Sequence, residues 1–340
     1  MHSVKNERGS VLIFATLIIV LLLIMVGMGL DTGHLAYVRS QGQPAVDAAA
    51  LAAAAAIPLA TKSGNLTDIT DQAVKFNPGG SNPGPGNNYV SSPTNKITDK
   101  SVTLVKYNPT TSTFTTSGVT VANANGARVA LENTNPHGGT AEAAMKSPLF
   151  LTPLFNLFGQ SANATADVNV SAVAVIRALP GLPIVVAEKL CGTTDTLDLK
   201  HGGKGTAGWE TYYIENASAQ QIRNLWESLP FCQGQPIVDV GYCGNLQNGA
   251  DATISNQILK PMFKANPNDC YLIPVVKNAG NFNQCQKITD WAQFCPVGGE
   301  AAVVGPGEFY GKITCGQTTW DSRDSKCYVP FLVRDKKSGM

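Results

Sequence analysis

Twenty residues without a single charge, Val11 to Leu30 (VLIFATLIIVLLLIMVGMGL), dominate the hydrophobic pattern of the chain. As a helix they rise about 30 Å, the thickness of a bilayer hydrocarbon core. The run is apolar on every face, which favours lipid over the interior of a soluble domain. A secretory signal would have a shorter apolar region with a small-x-small cleavage site just behind it. Here Asp31 follows directly and the helical pattern continues, so an uncleaved anchor is expected. Residues 31–57 (DTGHLAYVRSQGQPAVDAAALAAAAAI) keep high helix propensity apart from Gly42 and Pro44. Pro44 lacks a backbone donor and its ring clashes with the preceding turn, which predicts a kink or a break there. The alanines from Ala48 to Ala56 either simply favour helix or form a face that another helix approaches closely. The Gly29-x-x-x-Gly33 spacing has the same property.

The pattern then changes twice. Residues 58–98 are rich in Pro, Gly, Asn and Ser, centred on 77–88 (NPGGSNPGPGNN). Such a stretch buries too little apolar surface to offset its ordering entropy, so a linker is expected. From 99 to 180 the period becomes two. Val102, Leu104 and Lys106 alternate with Thr103, Val105 and Tyr107, and Ala127, Val129 and Leu131 with Arg128, Ala130 and Glu132. Val168, Val170, Ala172, Ala174 and Ile176 alternate with Asn169, Ser171, Val173 and Val175. All three patterns predict half-buried strands. Between them, residues 152–159 (TPLFNLFG) carry Pro at a first helical position and Gly behind the last, a short helix rather than a second span.

Beyond Pro180 short strands alternate with turn residues. Ser218 and Gln221 have capping-box spacing ahead of Ile222, Leu225, Trp226 and Leu229 at helical intervals. Strands are expected at 184–187, 237–240, 271–276, 301–304, 311–315 and 328–333. The fold class is thus a single N-terminal transmembrane helix extended by an Ala-rich helix, followed by a β-rich or α+β, disulfide-containing extracytoplasmic region. The expected organisation is anchor and Ala-rich helix (1–57), linker (58–98), small β-rich segment (99–180) and a Cys-rich α+β or mostly β domain (181–340).

Charge sets the orientation. Lys5 and Arg8 precede the apolar run with Glu7 as the only acid, whereas Arg39 is the one strong base in the twenty residues after it. Basic flanks prefer the cytoplasm, which puts the N-terminus inside and the bulk of the chain outside. The cysteines agree. All eight (Cys191, Cys232, Cys243, Cys270, Cys285, Cys295, Cys315 and Cys327) lie in the part predicted to be exported, and an even count there predicts four disulfides of open connectivity. A net charge of +1 offers no basic field for nucleic acid.

Candidate chemistry is sparse, and no catalytic, cofactor-binding or metal-binding residues are assigned. No C-x-x-C pair marks a zinc ribbon or a thioredoxin-like centre. Residues 201–206 (HGGKGT) do not have P-loop spacing, and no G-x-S-x-G elbow accompanies their His-Gly-Gly, so a glycine turn is the simpler reading. His137 falls in a loop-like stretch. Asp195 and Asp198 are two carboxylates only, thin material for a cation site.

Arg8-Gly9-Ser10, the apolar run, Leu30-Asp31-Thr32-Gly33, Tyr37-Val38-Arg39, Gln43 and then Ala45-Val46-Asp47 followed by residues 48–54 (AAALAAA) form a combined pattern. It resembles the TadE/TadG-like family, the N-terminal anchor region of Flp (Tad) pilus-assembly proteins, over about the first 55 residues. Pro44 departs from the uninterrupted helix usual in that family. A processed pilin would carry a glutamate where Phe14 stands, so an uncleaved accessory protein fits better. Longer relatives carry a metal motif whose nearest counterpart, Asp321-Ser322-Arg323-Asp324-Ser325, has Arg in place of the first Ser. The metal site is not carried over. The resemblance implies a non-catalytic component of a Tad-type pilus or secretion apparatus in the bacterial inner membrane. Its partners would be other pilus-assembly or membrane proteins, met through the anchor and the Ala-rich helix. The alternative is an exported adhesin-like binding module on the same anchor.

Overall fold

The computed structural model describes residues 7–76, 97–108, 111–133, 144–152, 156, 163–182, 184–199, 206–210, 218, 220–221, 224, 240–247, 252–277, 285–317 and 328–333. They form two compact units, Met1–Val175 with Phe331–Met340, and Ile176–Pro330.

In the first unit a single helix, α1 (Glu7–Ser63), runs through the apolar segment and the alanine-rich segment without interruption. The break expected at Pro44 does not occur. Pro44 and Ser40, whose carbonyl loses its helical partner, are both exposed, on the solvent side of the helix, where an orphaned oxygen carries little penalty. Gly42, Ala45 and Val46 beside it are buried, and this packing holds the helix in line. Part of the stretch assigned by composition to a linker is also helical. α1 continues to Ser63, and α2 (Thr67–Val74) folds back on it, burying Ile69, Thr70 and Ala73. Residues 77–96, including the Pro/Gly/Asn centre, lie outside the described residues.

Strands β1 (Val102–Asn108), β2 (Thr113–Thr115), β3 (Gly126–Leu131), β4 (Met145–Pro148), β5 (Thr165–Val168) and β6 (Val170–Ala178) follow. A five-stranded sheet has the order β15-β6-β3-β1-β2, where β15 is Tyr328–Val333, and β4 and β5 form a separate antiparallel pair. Alternation placed β1, β3 and β6 correctly but overstated their exposure. β3 and β6 are buried at every position. On the sides expected to face water stand Ala130, Ser171, Val173 and Val175, with Arg128, whose guanidinium donates to Glu132 at 2.8 Å, so the Arg128 charge is buried with a partner.

In the second unit, β7 (Ile184–Ala187), β8 (Thr194–Asp198), β9 (Ala207–Glu210), β10 (Cys243–Gln247), β11 (Tyr271–Val276), β12 (Cys285–Pro296), β13 (Val303–Gly305) and β14 (Glu308–Gln317) build one sheet. β10 pairs with β9 on one side and with β12 on the other, so β10-β9-β7-β11-β12 closes into a ring. A short α3 (Lys260–Ala265), entered through a π-helical turn, supplies Phe263 to a core with Trp209, Tyr271, Phe294 and Phe309. β11 is buried throughout. Its odd-numbered residues enter that core, while Leu272 joins Ile288 and Trp291 on the other face.

Of the eight cysteines, six stand in three disulfide-distance pairs. Cys191 pairs with Cys315, Cys243 with Cys285 and Cys270 with Cys295, with Cα separations of 5.2, 5.4 and 4.2 Å. Two of the pairs end on β12, and the third ends at Cys315, whose strand neighbour is Ala292 of β12. The longest strand is therefore tied to the loop before β11, to β10 and, through β14, to the turn after β7. Cys232 and Cys327 lie outside the described residues.

Candidate functional site

The segment that carries the sequence pattern is α1, and two different environments divide it. Most large side chains of the apolar run expose more than half of their surface, as a lipid-facing helix would. Among the described residues this is the one helix long and apolar enough to cross a membrane, by length and composition. From Gly27 onward a stripe turns inward: Gly27, Asp31, Val38, Gly42, Val46, Ala49, Ala53, Ile57 and Ala60 are buried at steps of three, four or seven, with Ala45 beside them. It packs against α2, β3, β4 and β5.

The small side chains of this stripe have a cause. A Cβ at Gly27 would run into Leu151, and one at Gly42 into Met145. The alanines, read either as plain helix formers or as a face for another helix, serve packing within the chain: the helix α2 and the strand β3 lie against α1, and Ala49, Ala50, Ala53 and Ala54 are all fully buried. Val46 and Ile57 contribute roughly 1.5–3 kcal/mol each by burial, and the alanines permit the close approach that makes this possible. Gly29 and Gly33 point elsewhere, with nothing within 4 Å of where a side chain would begin.

Polar contacts fix the stripe in register. Asp31, the first residue after the apolar run, is only 9% exposed. Its Oδ1 accepts the backbone N–H of Phe150 at 2.5 Å and its Oδ2 that of Leu151 at 3.2 Å. One turn on, His34 Nδ1 lies 2.8 Å from Ser147 Oγ, and its ring meets Phe150 edge-on at 5.5 Å. Gln43 Nε2 donates both to Asp47 Oδ1 and to the carbonyl of Ser171 on β6, each at 2.8 Å. The positions singled out by the sequence pattern thus have work to do within the chain. Asp31 satisfies two amides of the segment after β4, Gln43 ties the helix to β6, and Val38 and the alanines fill the seam. The sequence pattern marks these residues but not their roles, because Asp31, His34 and Gln43 meet partners more than a hundred residues away and the alanines meet segments that only folding brings to them.

Beside Asp31 an open cleft of about 570 Å³ is lined by Lys146, Leu149, Leu151, Thr152, Asn163 and residues of β5. At its rim Asp167 accepts from Lys146 and from Asn133, and the Lys146 contact leads in holding its carboxyl below the usual carboxylate range. Among the described residues that line the cleft there is no nucleophile–base pair.

The remaining candidates do not converge. Asp195 and Asp198 lie three apart on β8, so they project to opposite faces, and Asp195 accepts the N–H of Thr196 at 2.7 Å. Thr206 Oγ1 accepts the N–H of Asp198 at 2.9 Å and closes a local turn. Residues 201–205, His137 and Asp321–Ser325 lie outside the described residues. No group of three or more His, Cys, Asp or Glu is placed to hold a metal among the described residues. The capping box is present. Ser218 N donates to Gln221 Oε1 at 2.8 Å and Gln221 N to Ser218 Oγ at 3.3 Å, although the apolar face of that helix lies outside the described residues.

Among the described residues this geometry gives one membrane-length helix whose second half packs into a β-rich unit. Residues 9–56, the N-terminal region that contains the stripe as far as Ala53, match the Tad family model, described as Flp pilus-assembly TadE/G-like. No curated protein and no solved structure matches the chain.

Proposed function

We propose that this chain is a non-catalytic, membrane-anchored component of a Flp (Tad)-type pilus or secretion apparatus. It sits in the bacterial inner membrane as a single-pass protein, with the N-terminus in the cytoplasm and both β-rich units outside. The observation that carries the reading is the coincidence of the family match over 9–56 with one continuous helix, lipid-like in its first half and built into the chain's own sheet in its second. Lys5 and Arg8 against Arg39 support the orientation, and the paired cysteines of the second unit support an oxidising compartment. Because the alanine face is already occupied, partners within the apparatus meet the anchor on its exposed side, where Gly29 and Gly33 leave room for a neighbouring helix.

The test is a deletion strain examined for fibres by electron microscopy and complemented with the full chain. Loss of fibres and their return on complementation is the expected result. A second reading, an adhesin-like module on the same anchor, draws on the absence of any match beyond residue 56. It predicts normal fibres with loss of surface attachment in the same strain.

A further inference from the structure

We propose that the turn after β4, Leu149-Phe150-Leu151, is a second point of membrane contact, inserted into the lipid–water interface beside the anchor. The inference rests on the reading that residues 11–30 span the bilayer, and then follows from where this turn is fastened. Leu151 packs on Gly27, three residues inside the apolar run, and the Phe150 and Leu151 amides are held by Asp31, the residue immediately beyond it. At about 1.5 Å per residue these two attachments bracket the end of the hydrocarbon-spanning segment within about 6 Å. That is the depth of the headgroup and acyl-chain boundary, where aromatic and leucine side chains of interfacial segments settle.

The exposure of the turn fits this position. Phe150 is 57% exposed although both neighbours in sequence are leucines and its ring already touches His34. A lone exposed phenylalanine is ordinary on a protein surface. Here it continues the lipid-facing surface of α1 instead of interrupting a polar one. The turn is also held rigidly. Leu149 N donates to the Ala164 carbonyl at 2.9 Å and Thr152 Oγ1 to the Asn163 carbonyl at 2.8 Å, so the β4–β5 pair delivers Phe150 at a fixed height. Asp31 then has a second consequence. Backbone N–H groups entering a low-dielectric layer need an acceptor, and its carboxylate provides one for each of two consecutive amides. The occupant of this surface is therefore phospholipid, met by two elements fixed to each other.

The full chain is reconstituted into vesicles of phosphatidylethanolamine and phosphatidylglycerol that include a phospholipid with a diazirine close to the glycerol backbone. Photolysis and fragment-ion mapping then locate the adducts. Adducts on α1 within residues 11–30 together with adducts on the exposed Phe150 are the expected result. Adducts on α1 without any on Leu149–Leu151 would overturn the inference and leave the anchor intact. Their absence from α1 would overturn the anchor reading itself. As an independent readout, Phe150→Trp should add fluorescence that shifts to shorter wavelength and is quenched more by lipids brominated near the headgroup than near the chain ends. Leu22→Trp should show the reverse depth preference. An F150W signal insensitive to both lipids, beside a quenched L22W signal, also overturns the inference.

Discussion

Asp31 Oδ1 lies 2.5 Å from the backbone nitrogen of Phe150, 119 residues further along the chain. The contact joins the first residue beyond the membrane-length run to the turn after β4. A carboxylate that accepts two backbone amides is a charge-assisted clamp, and it explains why an acid stands at the end of an otherwise apolar helix segment.

Asp31→Ala should release this clamp. The Phe150 and Leu151 amides would lose their acceptor, at a cost on the order of 1–3 kcal/mol. Asp31→Asn keeps one carbonyl oxygen and should recover part of that loss. Hydrogen exchange of the full chain in detergent reads the outcome at those two amides, fastest in D31A and intermediate in D31N. Equal protection in all three proteins would show that the clamp contributes nothing to local stability.

The two sides of the alanine helix should answer one substitution differently. Ala53 is fully buried and Ala55 is exposed. Ala53→Leu forces a larger side chain into the helix–sheet seam and should cost about 1–3 kcal/mol. Ala55→Leu should stay within about 0.5 kcal/mol of the parent. Thermal unfolding of the purified protein separates them; similar melting for both variants would show that the seam is not close-packed.

Cysteine pairing predicts a graded response to mutation. By loop-closure entropy, the Cys191–Cys315 link, with a separation of 124, is worth about 5 kcal/mol, against about 3.5 kcal/mol for Cys270–Cys295, with a separation of 25. The C191S/C315S double variant should therefore unfold at lower denaturant than C270S/C295S. Alkylation without reduction should leave all eight cysteines unmodified, which with three pairs described assigns the fourth to Cys232 and Cys327 by arithmetic. Two alkylated thiols at those positions would refute the fourth bond.

Alkaline stability should depend on Tyr271. Burial, with the charge of Asp269 adding to it, pushes its phenol up to about 12. In the unfolded chain the group ionises near 10. The folded state holds the proton more tightly, so this contribution is fully present below about pH 10 and is lost as the pH rises through about 12. Tyr271→Phe cannot ionise, and its melting temperature should fall less steeply across that window than the parent's. Parallel curves would show that Tyr271 does not govern the loss.

Much of this was legible along the chain. The length and uniform apolarity of Val11–Leu30 are a one-dimensional property, and they predict the exposed first half of α1 without reference to anything else. Period-two alternation located β1, β3 and β6, because side chains on a strand face opposite ways whatever the partner strand is, and short apolar runs between turn residues located β7, β11, β15 and the middle of β14. β12 escaped. Thr289 is an extra residue opposite the Val275/Val276 step, so Ile288 and Trp291 share a face at a spacing of three and the alternation slips midway. β2, β4, β8, β9 and β10 are short strands, too short for a period to show.

What tertiary structure alone decided follows from distance and from symmetry. An alanine run has no apolar face distinct from its other faces, so its sequence specifies a helix but not which side is buried; the segments that pack on it, α2, β3, β4 and β5, choose the side that holds Gly42, Ala49 and Ala53. Pro44 reads as a break because its local penalty is visible, whereas the packing of its neighbours and the exposure of Ser40 that offset the penalty are not. An even count of cysteines establishes that bonds are expected, but their pairing depends on which strands the sheet brings side by side. Asp31 is conspicuous in sequence, yet its partners become known only when the chain returns to the same helix more than a hundred residues later. Local periodicity and composition are stored in neighbouring residues; acceptors, faces and pairings exist only once distant segments are packed together.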